Sequence, residues 1–435
     1  MTWKRPRLSP YAHSAAWSIV ELLCSTGAQF VLTPLLLHRL GAEQFSVWVI
    51  AQTVLVGSAT LSLGASTALM PVLAHARTRG DLSGIQEAIR LFIRRTLLMS
   101  AVLFATVSTT SGLGWAPATL SGWSRWNLWA IASTALLWAA VTELDNGLSS
   151  ALKAQERFDT CALMEAAART AQIALTFWLV VSDGSALVPI ILAVVVTATK
   201  AVVKFAALRP NGLIQDPPID IEKFERLSVA NELKSNGLWI WLSVLSGLMF
   251  NAFDRWFVGA QLGSAVLVAY AACTQIAQMP HALVAAAGQT LGPWAAKRRD
   301  RLAQVDVRRN IRKVLVIATA AAALPSLLLL LVLEPLLSLW ISTEFAVEHL
   351  AMARGMTLAF CLLSLNVPAY FLLLGLGRVR SSTLLVAVAG VVFVVGCLLL
   401  PPSLPGFVFM KGLFAALTIS LVVLLLMLSR ARSKW

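Results

Sequence analysis

Two sets of polar residues recur at helical spacing inside runs that are otherwise apolar. Ser14, Ser18, Glu21, Ser25 and Gln29 are three or four residues apart, and Asn236, Ser243, Gly247, Asn251 and Asp254 form a similar series. On a helix each set occupies one face. Carboxylates, amides and hydroxyls so arranged can accept sugar hydroxyls, hold a cation or bond to a neighbouring helix. Facing lipid they would be costly, so both stripes are expected to face protein or a water-filled cavity. For the Ser and Gly members, close helix packing is the preferred reading. For Glu21, an acid about two turns into its apolar run, a functional role is preferred. Asp254 and Arg255 are neighbours and point about 100° apart, so the stripe selects Asp254. Arg255 lies near a helix end, where reaching out to lipid headgroups competes with a role in a cavity. Gln275, Gln278, His281 and Gln289 give a second amide-rich surface. Glu143 and Asp145, ahead of Asn146-Gly147, read as an interfacial helix end rather than a proton relay.

The elements that must position these groups are membrane helices. Of the 435 residues, 58% are hydrophobic and 13% charged, with a mean hydropathy of +0.77. A soluble domain carries about 25% charged residues. Apolar runs recur along the whole chain, each near the ~20 residues that a spanning helix needs. No hydrophilic stretch is long enough for a separate catalytic module. Five scattered cysteines (Cys24, Cys161, Cys273, Cys361 and Cys397) form neither a disulfide framework nor a metal-ligand pattern. No P-loop, dinucleotide fingerprint or zinc-protease motif is present. The expectation is a protein without catalytic residues, metal or cofactor, and the net charge of +14 is assigned to membrane topology rather than to nucleic acid. Lys4, Arg5 and Arg7 precede an apolar run that is too long for a signal peptide and holds Glu21, so it reads as the first span.

Apolar windows place twelve spans near 14–37, 45–73, 96–113, 127–149, 165–182, 187–208, 236–258, 265–291, 314–333, 349–374, 383–400 and 407–428. Thirty of the 35 Lys and Arg residues fall on one side of this arrangement; the other side holds Arg39, Arg125, Arg255, Arg354 and Lys411. The positive-inside rule makes both termini cytoplasmic. The opposite-side loops are short, the longest being 335–348. Trp115, Trp123, Trp126 and Trp129 cluster at one such edge and read as an aromatic belt. Residues 81–95 and 219–234 read as surface-lying connecting helices. The expected domains are a six-helix lobe over 1–208, a cytoplasmic linker over 209–235 and a second six-helix lobe over 236–435.

Shifting the sequence by 222 residues lays Leu40-Gly41 on Leu262-Gly263, Trp48 on Tyr270 and Pro71 on Pro293. Glu21, Ser25 and Gln29 then fall on Ser243, Gly247 and Asn251. Six spans per repeat give both halves the same orientation, a parallel pseudo-two-fold repeat with substrate expected between the halves near the midplane.

The run Thr33-Pro34-Leu35-Leu36-Leu37-His38-Arg39-Leu40-Gly41-Ala42-Glu43-Gln44-Phe45, followed by Trp48, resembles the first-loop signature of polysaccharide (O-antigen type) flippases. These belong to the multidrug/oligosaccharidyl-lipid/polysaccharide exporter superfamily. Asp254-Arg255-Trp256-Phe257-Val258-Gly259-Ala260-Gln261-Leu262-Gly263, with Tyr270, is similar to the partner motif of the second half, and Pro335–Ile341 to a later outer loop. The resemblance implies two lobes around a V-shaped cavity lined by spans 1, 2, 7 and 8. It implies a polyprenyl-pyrophosphate-linked oligosaccharide carried across the inner membrane, and it makes the polysaccharide polymerase machinery a candidate partner. Relatives often carry several cations inside the cavity. This sequence has few, the nearest candidates for the headgroup being Lys200 and Lys204, with Arg255 opposite.

The resulting expectation is a flippase for surface polysaccharide or O-antigen synthesis, with Glu21, Gln29, Asn251, Asp254, Arg255, Gln275 and Gln278 facing the cavity. A cation-coupled multidrug exporter of the same superfamily is the alternative. A membrane O-antigen polymerase or ligase is a distant third, because it needs a larger external loop. The topology is checked with reporter fusions: Gly80, Asp216, Asp300 and the C-terminus should all report cytoplasmic, and an external signal at Asp216 would break the two-lobe arrangement.

Overall fold

The computed structural model describes residues 10–62, 64–78, 82–112, 125–180, 184–208, 239, 241–296, 298–299 and 304–430. The expected linker 209–235, with its connecting helix at 219–234, lies outside them, as do Trp115, Trp123, Asn236 and the side chain of Ser14. In a bilayer every backbone polar group must be satisfied within the protein, so apolar runs of this length fold as helices. The chain is an all-helical, multi-pass membrane protein of about twelve spanning units.

The first half comprises α1 (Pro10–Val56), α2 (Ala65–Thr78), α3 (Leu82–Gly112), α4 (Arg125–Ala154), α5 (Phe158–Leu179) and α6 (Leu187–Leu208). The second half begins with α7 (241–262), which contains a π-helical turn at Met249–Phe253. It continues with α8 (Ser264–Gly288), α9 (Leu291–Ala296), α10 (Val305–Trp340), α11 (Thr343–Ser364), α12 (Val367–Gly375), α13 (Val379–Leu399), α14 (Leu404–Thr418) and α15 (Ser420–Arg430). The helices of each half pack mainly on one another, and α1 against α8 makes the principal seam between them. The largest apolar cluster draws on both halves, joining Leu36, Trp48 and Trp138 to Phe250, Tyr270, Phe360 and Phe414. Large side chains such as Trp178, Leu331, Leu339 and Leu399 are exposed on the outside, as a lipid-facing surface requires.

The repeat is written into the backbone. Gly41 (φ 73°, ψ 169°) and Gly263 (φ 88°, ψ 174°) reverse the chain at equivalent corners, 222 positions apart. This combination of angles is accessible essentially only to glycine. A second matched pair closes α4 and α12. Glu156 (φ 65°) and Gly377 (φ 73°) are left-handed, and the following amides bond five residues back, Arg157 N to Leu152 O at 3.1 Å and Arg378 N to Leu373 O at 2.9 Å. That is the Schellman helix ending in both halves.

Several sequence-based expectations need correction. The second span is not one helix from 45 to 73. Its first arm ends at Val56, a 3₁₀ turn follows at Ser58–Thr60, and left-handed Gly64 (φ 74°) precedes α2. The connecting helix at 81–95 does not lie on a surface: it continues into α3, because no Gly or Pro stops the helix past Gly84 and Ile85, Ala88, Ile89 and Phe92 are buried against α2 and α4. The loop expected at 335–348 is almost wholly helical, with Pro335 inside α10 and only Ile341 and Ser342 between α10 and α11. The tenth and twelfth spans are each broken, at Leu365–Asn366 and at Ile419. Seven of the described spans are long and apolar enough to cross a membrane on composition alone.

An added Cβ at Gly263 meets nothing within 4 Å, so the demand for glycine there is purely conformational. Gly263→Ala should therefore cost about 1–3 kcal/mol, seen as a lower midpoint in thermal or detergent unfolding. Gly247→Ala, in open space on a helix, should leave the midpoint unchanged or raise it.

Candidate functional site

A cavity of about 340 Å³ lies between the halves. The first arm of α1 contributes Ser25, Thr26, Gln29 and Thr33, and the second arm Phe45, Val49, Gln52 and Leu55. α7 adds Asn251 and Arg255, and α8 Ala271, Ala272, Gln275 and Gln278. The α1 stripe faces inward because its opposite face, with Leu23 and Val31, is exposed to lipid. The wall is organised by amides. Gln52 Nε2 donates to Gln29 Oε1 at 2.8 Å, and Thr33 Oγ1 donates across the seam to Gln275 Oε1 at 2.9 Å. Gln275 Nε2 is buried without a partner. Arg255 is buried, and its Nε also lacks a hydrogen-bond partner. Among the described residues no carboxylate lines this cavity.

Two further contacts join the halves. Pro34 has no N–H, so the Phe30 carbonyl four residues earlier loses its helical donor. Trp340 Nε1, at the end of α10, donates to that oxygen at 2.9 Å, and its indole stacks on the Phe30 ring at 4.2 Å. Trp256 Nε1 donates to Thr53 Oγ1.

The carboxylates are committed inside each half. Glu21 Oε2 pairs with Lys153 Nζ at 2.8 Å. Lys200 bridges Glu165 and Asp145, with Nζ 3.0 Å from Asp145 Oδ2. Lys204 Nζ lies 2.7 Å from Asp145 Oδ1 and donates to Ser149 Oγ at 2.8 Å. Arg169 donates to Glu165 at 2.7 Å, to Gln172 at 2.8 Å and to Ser25 Oγ at 3.2 Å, so this network reaches the cavity wall through Ser25. In the second half Asp254 Oδ2 lies 2.9 Å from Lys411 Nζ, both fully buried. It accepts from Tyr270 Oη at 2.5 Å. Lys411 also donates to the Phe250 carbonyl in the π turn at 2.6 Å and sits 4.0 Å from the Phe250 ring centre.

The structure thus brings together Gln29, Asn251, Arg255, Gln275 and Gln278 on one wall. It places Glu21 and Asp254 off that wall, because each has a Lys partner within its own half. Lys200 and Lys204 are not free headgroup cations, since Asp145 and Glu165 hold them. Glu143 and Asp145 are buried between helices, not at an interfacial helix end. His281 is also off the wall, its Nδ1 3.3 Å from Ser364 Oγ. Sequence reasoning missed Gln52, Thr33 and Lys411. Lys411 could have been found as a lone cation inside the last apolar run, and Lys200 and Lys204, four residues apart, required acids on a facing helix.

No protein-family model matches the sequence, and no curated relative does. In fold the chain is similar to multidrug resistance MATE family transporters of the MOP superfamily. To one in an inward-facing conformation the TM-score is 0.68 at 13% identity, over 94% of each chain. To one in an outward-facing conformation it is 0.72 at 14% identity, over 99% of this chain and 98% of the other. To a mutant of the Vibrio cholerae MATE transporter VcmN it is 0.73 at 14% identity, over 96% and 95%. The chain shares the fold of these transporters over nearly its whole length.

Removing one member of a buried pair leaves an uncompensated charge and costs about 3–5 kcal/mol. Lys411→Met should lower folded yield and unfolding temperature accordingly. Adding Asp254→Asn should recover much of the loss, and failure of that rescue would show that Lys411 acts through contacts other than Asp254.

Proposed function

We propose that the protein is an exporter of the cytoplasmic membrane working by alternating access between two lobes, residues 1–208 and 236–435. Its substrate is a polyprenyl-pyrophosphate-linked oligosaccharide destined for surface polysaccharide. The observation that carries this reading is Arg255: a buried guanidinium on a wall without carboxylates, whose Nε is unpartnered. An isolated buried cation is costly unless an anion reaches it, and a guanidinium is suited to phosphate oxygens. Gln29, Gln52, Asn251, Gln275 and Gln278 surround it with amide donors and acceptors that suit sugar hydroxyls. Glu21, Asp254, Lys200 and Lys204 act at a distance in this reading, holding each lobe's helices rather than touching the substrate.

A second reading, a cation-coupled multidrug exporter, is supported by the likeness in fold to multidrug resistance transporters and by a cavity within the size range of small-molecule sites. A lipophilic cation would meet Arg255 unfavourably, which is why the anionic substrate is preferred. The test is gene deletion with analysis of lipid-linked intermediates. Loss of surface polysaccharide with accumulation of its lipid-linked units at the cytoplasmic face is expected. Arg255→Gln, at wild-type protein level, should reproduce at least about a tenfold loss of flux, equivalent to one charge-assisted hydrogen bond. Unchanged polysaccharide together with new drug sensitivity would decide for the second reading.

A further inference from the structure

Sequence spacing and structure disagree over which of two neighbouring residues meets the cavity, and one backbone feature accounts for the difference. On an unbroken α-helix the step from Gly247 to Asp254 closes two turns to within about 20°, and Arg255 stands about 100° further round. The stripe Ser243, Gly247 and Asn251 would then continue through Asp254. The structure instead puts Arg255 on the wall beside Asn251 and Asp254 inside the second half against Lys411. Between Gly247 and Asp254 lies the π turn Met249–Phe253. A π turn closes on the fifth residue rather than the fourth, so it takes up one extra residue. The helix beyond it is set back by about 100°, and Arg255 comes into the place that Asp254 would hold.

Lys411, on α14, grips both sides of this turn. Its Nζ donates to the Phe250 carbonyl within the turn at 2.6 Å and lies 2.9 Å from Asp254 Oδ2 just beyond it. Tyr270 Oη donates to the same carboxylate oxygen at 2.5 Å. The ammonium is fully buried, 4.0 Å from the Phe250 ring centre and 5.5 Å from that of Phe360. The Phe250 ring is in turn packed against Phe360, Phe393 and Phe414, which fixes where along α7 the turn sits.

From this geometry we propose that Lys411 is a positioning residue that holds α7 in its π register and so decides which charge the cavity wall carries. Lys411 touches nothing in the cavity and acts through Arg255. Without it the Phe250 carbonyl loses a donor inside the membrane. An α turn, which offers that oxygen the amide four residues on, then becomes the better arrangement. The α register would put residue 254 where the guanidinium now stands and remove from the wall the group suited to phosphate oxygens. That consequence rests on the proposed export of an anionic substrate; the register itself does not.

The experiment is modification of Arg255 by methylglyoxal, a small water-borne arginine reagent, in the purified full-length protein. No transported molecule is present, and the products are read by peptide mass spectrometry. In wild type Arg255 should react from the cavity. The double variant Lys411→Met/Asp254→Asn leaves no unpaired charge at the site. In it the reaction at Arg255 should fall at least about tenfold, because a carbonyl unmet in lipid outweighs an ordinary hydrogen bond. Arg354, which is exposed, should react as before. Deleting Ala252 from that variant removes the residue that the π turn takes up, so a plain α-helix then keeps Arg255 on the wall and the reaction should return. A role of Lys411 in stability alone gives no such rescue, since a deletion would deepen the loss. If the double variant does not fold, deletion of Ala252 from wild type carries the test: that chain should fold with Arg255 reactive. Wild-type reactivity of Arg255 in the double variant overturns the proposal. So does an unreactive Arg255 in wild type, or a deletion that fails to restore or keep the reaction.

Discussion

A carbonyl that loses its helical donor inside a membrane has no water to turn to, and this structure is arranged around such carbonyls. Pro34 strips Phe30 of its partner, and Trp340 supplies one from the opposite half. The π turn of α7 loosens the backbone at Phe250, and Lys411 takes up its oxygen. Leaving either group unmet would cost several kcal/mol in lipid, so each irregularity in a helix fixes the position of a second helix. The interruptions in α1 and α7 bear on the cavity, which these bent and loosened helices line together with α8.

Charge follows the same logic. Within the first half Asp145 and Glu165 interlock with Arg169, Lys200 and Lys204, and Glu21 pairs separately with Lys153. Burying them is tolerable only because each finds an opposite charge, and hydrogen bonds to Ser149, Gln172 and Ser25 use further donors. The second half meets the requirement with one pair, Asp254 and Lys411, capped by Tyr270 and ringed by Phe250 and Phe360. With these groups spoken for, the cavity is left with neutral amides and one guanidinium. Its chemistry is set by what the lobes have already used up.

Much of the fold was legible because it is written in local signals. Glycine at 41 and 263, in register under a 222-residue shift, marks two corners that other residues turn only with strain, and the apolar runs mark the spans. Gln29 and Asn251 could be placed on the cavity because a stripe at helical spacing must face something polar. The errors fall where a partner lies far along the chain. Glu21 and Asp254 look like cavity acids until Lys153 and Lys411 are seen beside them, 132 and 157 positions away. Lys200 and Lys204 look like free cations until α4 and α5 present Asp145 and Glu165. Glu143 sat next to Asp145 in the sequence and shared its reading, yet one residue pair on a helix turns two acids toward different neighbours. Helix breaks at Val56 and Leu365 were equally hidden, since neither is marked by a charge or a long polar stretch.

The distribution of bond strengths points to where the molecule can yield. Three polar contacts across the seam are single hydrogen bonds: Thr33 to Gln275, Trp256 to Thr53 and Trp340 to Phe30. Each contributes about 1 kcal/mol net, so separating the halves along this line costs a few kcal/mol in these terms. That is the range over which two conformations stay in measurable exchange. Within a half, extracting one member of a buried ion pair costs about 3–5 kcal/mol, and the first half holds several linked together. In polar terms the seam is therefore the weaker line, and the apolar cluster shared by both halves supplies the rest of its resistance. The weak line runs through the cavity, and the residues that would part first are those beside the candidate substrate wall.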